Sequence, residues 1–303
     1  MIGLLLALIT ALFFPGVILR VKSIASGRKG PGLFQPWKNI WLLLRKGNIF
    51  SSTTSYIFQI APTINLATIL CAILLVPFAG TPSFLGFQGD FVLFAYLLAL
   101  GKFFFIIGAM DTGSSFEGMG ANRESLYSML AEPALFILFG TLALLTRHTS
   151  MQDIFVHFQW TDPNSFIVGI ITVYLLVQIA MIENSRMPVD DPKTHLELTM
   201  IHEVMILDHS GFDLALIQIG TNLKFAMYGT LIVECIIPSL GSWYVQIALY
   251  FGIQIMFASS IGVLESFRAR KKLMKNPQFI ITLSSIALIA FFIVLLIKYN
   301  LIH

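Results

Sequence analysis

Eight stretches of the chain are almost wholly apolar: roughly Ile2 to Leu19, Ile60 to Ala79, Phe91 to Met110, Leu126 to Leu145, Phe166 to Ile182, Leu214 to Ile237, Trp243 to Leu264 and Phe279 to Ile297. Each is about 17 to 24 residues long, which is what an α-helix needs to cross a bilayer. The pattern predicts an all-α polytopic membrane protein with eight transmembrane helices in one integral membrane domain over residues 1–303. The first run has no basic segment before it and no small-residue cleavage site, and Arg20 and Lys22 follow it. It therefore reads as a retained span with its N-terminus outside.

Composition agrees. Of 303 residues, 56% are hydrophobic and 12% charged, against about 25% charged in a soluble domain. An ordinary water-soluble globule is excluded. Cys71 and Cys235 each sit alone in an apolar run, so the chain has neither a CxxC pair nor a disulfide framework.

The net charge of +3 is unevenly spread. Fifteen of the 19 Lys and Arg residues fall in the first, third, fifth and seventh connections. Only Arg147 and Lys298 belong to the other face, and Lys102 and Lys224 lie inside spans. By the positive-inside rule the odd-numbered loops, about 20–59, 111–125, 183–213 and 265–278, are cytoplasmic and both termini are outside. These long inside loops also carry nearly every unusual polar motif, which makes the cytoplasmic face the working surface.

In the first of them, Gly27, Gly30, Pro31 and Gly32 enforce turns before Trp37, Ile40, Trp41 and Leu44, which fall at i, i+3, i+4, i+7. That spacing predicts an amphipathic helix at the membrane interface, with Lys38, Arg45 and Lys46 on its other sides. Either a plain anchor or a lateral helix at a site entrance fits the pattern.

The third loop places Asp111, Glu117, Arg123 and Glu124 at the end of a span, then Glu132 beside Pro133 about two turns into the next. A carboxylate there costs about 2.5 to 3.5 kcal/mol on insertion scales unless paired, hydrated or protonated. It marks either a functional group or a structural salt bridge. The fifth loop packs Glu183, Arg186, Asp190, Asp191, His195, Glu197, His202, Glu203, Asp208, His209 and Asp213 into thirty-one residues. Its histidines recur every seven residues, a shared stripe if the segment were one helix. The adjacent His202 and Glu203 do not make an HExxH ligand set, so no metal site is expected. A hydrated network of titratable groups, or a docking surface for a soluble partner, fits better. Lys102, Lys224 and Glu234 lie deeper, where single charges face a bundle interior or a water-filled cavity.

Three blocks in order on one face, RKGPGLFQP from Arg28, EGMGANRE from Glu117 with AEP from Ala131, and ENSRMPVDDP from Glu183, resemble subunit 1 of respiratory complex I and its bacterial counterparts. The resemblance extends to relatives in the membrane-bound group 4 [NiFe] hydrogenases, the formate hydrogenlyase subunit 4 and hydrogenase 4 component C type. It covers nearly the whole chain, and KTHLEL from Lys193, where complex I commonly has the acidic EAESEL, looks like the hydrogenase branch.

The resemblance implies a subunit, noncatalytic by itself, of a prokaryotic cytoplasmic-membrane oxidoreductase that links electron transfer to H+ or Na+ translocation. Carried over, Glu132, Glu183, Arg186, Asp190 and Glu197 belong to the junction between redox arm and proton path. The ion path is then expected at Lys102, Glu132, Glu183, Glu203, Lys224 and Glu234. Coupling and docking loops would use Arg28, Gly30, Pro31, Glu117, Arg123, Glu124, Arg186, Asp190, Asp191, His195, Glu197, His202 and Asp208. Expected partners are a hydrogenase large subunit and a small iron-sulfur subunit on the cytoplasmic face, antiporter-like membrane subunits and the lipid bilayer, with no nucleic acid. The [NiFe] centre and iron-sulfur clusters would lie in those partners. No cofactor is expected on this chain, and KTHLEL argues against quinone. The alternatives are a quinone-chamber subunit of an NADH-quinone oxidoreductase and a stand-alone ion-coupled transporter.

Overall fold

The computed structural model of the chain describes residues 2–78, 83–160, 163–190, 200–237, 243–268 and 273–299, and the regular elements among them are helices joined by turns and loops. The helices are α1 (Ile2–Ala25), α2 (Gln35–Leu44), α3 (Tyr56–Leu75), α4 (Asp90–Asp111), α5 (Ser115–Thr146), α6 (Met151–His157), α7 (Pro163–Glu183), α8 (His202–Met205), α9 (Gly211–Ile236), α10 (Trp243–Phe267) and α11 (Asn276–Lys298). Seven of them, α1, α3, α4, α5, α7, α10 and α11, are long and apolar enough to cross a membrane. This is a multi-pass membrane protein.

Helix α9 coincides with the sixth expected span and has 26 residues, yet it is not among those seven. Its position explains its composition. It packs against α1, α2, α3, α7 and α10, and 19 of its residues are buried. A helix wrapped by other helices has no need to present an apolar surface to lipid, so Asp213, Gln218, Asn222, Lys224 and Glu234 are tolerated along it.

The third loop departs from expectation. Residues 115–125 belong to α5, which runs unbroken for 32 residues, about 48 Å at 1.5 Å per residue. That exceeds the ~30 Å hydrocarbon core by several turns. The EGMGANRE block is polar because it is packed against protein: Glu117 and Glu124 are buried, and α8 lies along this part of α5.

Close packing of α3 on α4 sets the depth of the first buried charge. A Cβ on Gly108 would stand 2.8 Å from the Ala61 Cβ, and one on Gly101 would run into the Thr68 hydroxyl. Small residues thus let the two backbones approach, which brings Lys102 over α3. At the end of α4, Asp111 caps the start of α3: its carboxylate accepts from the Ser55 N–H at 2.7 Å and the Ser55 hydroxyl at 2.8 Å. A carboxylate at a helix N-terminus satisfies donors that have no partner within the helix.

Helix α2 forms where the heptad-like spacing places it. Only Ile40 is fully buried, Trp41 and Leu42 are exposed, and the Arg45 guanidinium lies 5.2 Å from the centre of the Trp41 ring.

Candidate functional site

Helix α7 ends in a Schellman turn. The Arg186 N–H bonds the Met181 carbonyl at 2.8 Å and the Ser185 N–H bonds that of Ile182 at 3.0 Å, with Ser185 in the left-handed region at φ 48°. The sharp reversal leaves Glu183 and Asn184 inside the bundle and sends Arg186 toward α10.

There Glu183 joins a chain of buried charges. Lys102 Nζ of α4 lies 2.9 Å from Glu124 Oε1 of α5 and 3.1 Å from Glu183 Oε1, and Glu183 Oε2 lies 3.7 Å from Lys224 Nζ of α9. All four side chains are below 10% exposure. Two cations and two carboxylates alternate across four helices, so each charge has an opposite neighbour, the condition for keeping ionised groups out of water.

Small cavities touch this chain on both sides. One of about 10 Å³ is lined by Lys102, Glu183, Tyr228 and Glu132, so Glu132 stands beside the chain, while Lys102 pairs with Glu124 and Glu183. The other, of about 20 Å³, is lined by Asn65, Lys102, Phe105, Glu124, Glu183, Asn184, His202, Thr221 and Lys224. Each has room for about one water molecule. Next to the second lies a cavity of about 620 Å³ between α1, α2 and α9, bordered by Pro31, Gln35, Asn39, Arg186, Glu203, Gln218 and Asn222. Helix α2 is therefore a wall of this cavity.

The segment 200–210 closes over these groups through acids of other elements. Asp190 Oδ2 accepts from the N–H groups of Ile201 at 3.2 Å and His202 at 3.1 Å. Glu117 Oε1 accepts from the Asp208 N–H at 3.1 Å, and Arg123 donates to the Met200 carbonyl at 3.0 Å. His209 stacks on Phe58 with ring centres 4.0 Å apart, and both His209 and His202 stack on Phe105. The two histidines are thus neighbours through an aromatic ring, while the helix that would have aligned them as a stripe is interrupted between 206 and 210. Burial pushes both imidazoles down from the usual 6.5 to about 4. For His202, Lys224, Lys102 and Arg186 add to this and Glu124 opposes it.

Of the expected path residues, Lys102, Glu132, Glu183 and Lys224 come together. Glu203 borders the large cavity instead. Glu234 lies ten residues beyond Lys224 on α9, about 15 Å away along the helix, near Tyr250 of α10. Among the expected docking residues, Glu124 belongs to the charge chain, and Glu117, Arg123 and Asp190 hold the protein's own segments. Arg28, Pro31 and Asp208 are exposed and Gly30 partly so. Asp191, His195 and Glu197 lie outside the described residues.

Glu265 is a functional candidate that the sequence pattern missed. Its side chain is fully buried on α10, 2.7 Å from Lys22 Nζ of α1 and 3.3 Å from Arg186 Nη1. The signal was a single acid between an apolar run and the basic cluster that follows it. Among the described residues no three His, Cys, Asp or Glu side chains converge into a metal-ligand set.

A helical bundle with seven helices long and apolar enough to cross a membrane, holding a continuous chain of buried ion pairs beside a polar cavity, defines the class as a multi-pass membrane protein with a charged interior. The sequence matches the NADH dehydrogenase family over residues 1–300, and the chain belongs to that family, of the complex I subunit 1 type. It is 28% identical to hydrogenase-4 component C of Escherichia coli K12 over 238 residues, which is 78% of this chain and 73% of that one. It is 26% identical to formate hydrogenlyase subunit 4 of the same strain over 74% of this chain and 72% of the relative. An NADH-quinone oxidoreductase subunit of Pelagibacter ubique is 24% identical over 76% of this chain and 69% of the relative. In fold, the chain superposes on a chain of the membrane-bound sulfane sulfur reductase, an archaeal respiratory membrane complex, with a TM-score of 0.82 over 96% of each at 18% identity. The protein is a membrane subunit of a complex I-like respiratory complex in the prokaryotic cytoplasmic membrane.

Proposed function

We propose that this chain couples the redox arm of a membrane-bound [NiFe] hydrogenase, of the formate hydrogenlyase type, to translocation of H+ or Na+. The observation that carries the reading is the Glu124–Lys102–Glu183–Lys224 chain, because it can respond to a distant event without moving far. A change of charge or shape in the loops above Glu183 alters which carboxylate Lys102 neutralises, and at low dielectric such a change is felt strongly along the chain. Glu132, at the edge of the chain, would pass the effect toward antiporter-like membrane subunits.

The hydrogenase branch is supported by relatives named for hydrogenase-4 and formate hydrogenlyase and by KTHLEL in place of the acidic stretch. All eight long helices, α9 included, would then span the membrane with both termini outside. The segments around α2 and α8 would face a hydrogenase large subunit and a small iron-sulfur subunit, which hold the [NiFe] centre and clusters.

A second reading, a quinone-chamber subunit, has one observation in its favour. The cavity bordered by Arg186 and α2 is about 620 Å³, within the ~300 to 1,000 Å³ of small-molecule sites. Copurification separates the two: the hydrogenase reading predicts a [NiFe] large subunit and hydrogen evolution in the complex pulled down by this chain. Recovery of an NADH-oxidising arm with inhibitor-sensitive quinone reduction would replace it.

A further inference from the structure

If the chain couples redox chemistry to ion movement, the reading on which this proposal rests, protons must reach the buried charges. Two cavities approach the chain from the same side, one of about 620 Å³ and one of about 20 Å³ against Lys102, Glu124, Glu183 and Lys224. Three residues line both: Asn184, His202 and Thr221. They form the partition between the polar cavity and the ion chain.

The three side chains differ in what they can pass. Asn184 donates through Nδ2 to the Ala180 carbonyl at 2.8 Å, and its buried Oδ1 has no partner among the described residues. The Thr221 hydroxyl donates to the Ile217 carbonyl at 3.1 Å. Both can orient a proton donor, and neither exchanges protons readily. His202 can, since a neutral imidazole carries one N–H and one lone-pair nitrogen. Its position is held from two directions, by the Asp190 carboxylate on its backbone N–H and by Phe105 under its ring at 5.3 Å.

We propose that His202, set between Asn184 and Thr221, is the proton relay that joins the large polar cavity to the Glu124–Lys102–Glu183–Lys224 chain. A proton from water in the large cavity adds to the lone-pair nitrogen. The proton on the other nitrogen then leaves toward the small cavity, either to water or to a carboxylate of the chain. One proton enters and one leaves, and the ring ends as its other tautomer. Rotation of the ring, or transfer in the reverse sense, resets it. The charged groups around the ring, Glu124 on α5, Lys102 on α4, Lys224 on α9 and Arg186 after α7, include three cations. The imidazolium is therefore short-lived, which suits a conduit better than a store.

The test uses the whole complex in inverted membrane vesicles, measuring protons moved per electron pair for His202→Phe, His202→Gly and Glu183→Gln. His202→Phe keeps a ring on Phe105 and removes both nitrogens; if it does not assemble, His202→Gln takes its place. Expected are a loss of most proton movement in His202→Phe and recovery in His202→Gly when imidazole is added to the medium. Normal proton movement in His202→Phe with failure in Glu183→Gln would overturn the relay and leave the coupling role standing. Loss in His202→Phe with no rescue of His202→Gly would make the residue structural and overturn the relay as well. Normal movement in all three variants would overturn the coupling role itself.

Discussion

Lys102 and Glu183 meet 3.1 Å apart inside the bundle, on helices α4 and α7, with both side chains below 10% exposure. Lys102 also holds Glu124 at 2.9 Å, so one ammonium neutralises two carboxylates from different helices. Removing it strands the buried Glu124 and leaves Glu183 with Lys224 alone. Lys102→Met is expected to cost about 3 to 5 kcal/mol, as for breaking a buried ion pair from one side. Thermal melting of the purified complex measures it, and Lys102→Met combined with Glu124→Gln should regain part of the loss, since the stranded charge is then gone.

The segment that carries His202 hangs on Asp190. Its Oδ2 accepts two backbone N–H groups across the gap between α7 and α8. Asp190→Ala strands both donors, at a cost of about 1 to 3 kcal/mol for each donor left buried without a partner. Amide exchange at residues 201 and 202 should quicken, while the Thr10, Thr230 and Tyr250 hydroxyl contacts that tie α1, α9 and α10 together should be unaffected.

The same segment should weaken in acid. His202 and His209 are held at about 4 in the folded protein, against about 6.5 in an unfolded chain. Between those values the unfolded state binds more protons, so stability rises with pH there. It is fully present above about pH 6.5 and is lost as pH falls toward about 4. For the buried His209 a shift of this size is on the order of 3 kcal/mol at about 1.4 kcal/mol per pH unit. His202 is partly exposed and contributes less. Melting of the purified complex at about pH 7 and about pH 5 checks this. In His209→Phe, which keeps the stack on Phe58 and has nothing to protonate, the acid sensitivity should shrink.

Much of this arrangement could be read along the chain, and what could not has physical reasons. The membrane helices follow from apolar length, and α2 from the i, i+3, i+4, i+7 spacing of Trp37, Ile40, Trp41 and Leu44. The start of α5 was hidden because polar residues packed against protein look the same in a sequence as polar residues in a loop. For that reason Glu124 reads as a docking residue when it is in fact a member of the charge chain. Glu265 was hidden by its place just past an apolar run, beside five basic residues. Lys102 and Glu183 stand out singly as costly charges. Their pairing depends on how α4 and α7 pack, which no local pattern encodes. His202 and His209 show the reverse case: their seven-residue spacing suggested a stripe, and they became neighbours instead by stacking on Phe105 of another helix.

The central claim is that ion movement depends on the buried charge chain, and Glu183, which contacts both lysines, is its most vulnerable member. The most direct measurement is the number of ions translocated per electron pair by the intact complex in inverted vesicles, with Glu183 and with Glu183→Gln. The predicted result is an assembled complex that still transfers electrons when its membrane is made leaky, yet moves few or no ions per electron pair. An assembled Glu183→Gln complex with an unchanged ion-to-electron ratio would contradict it.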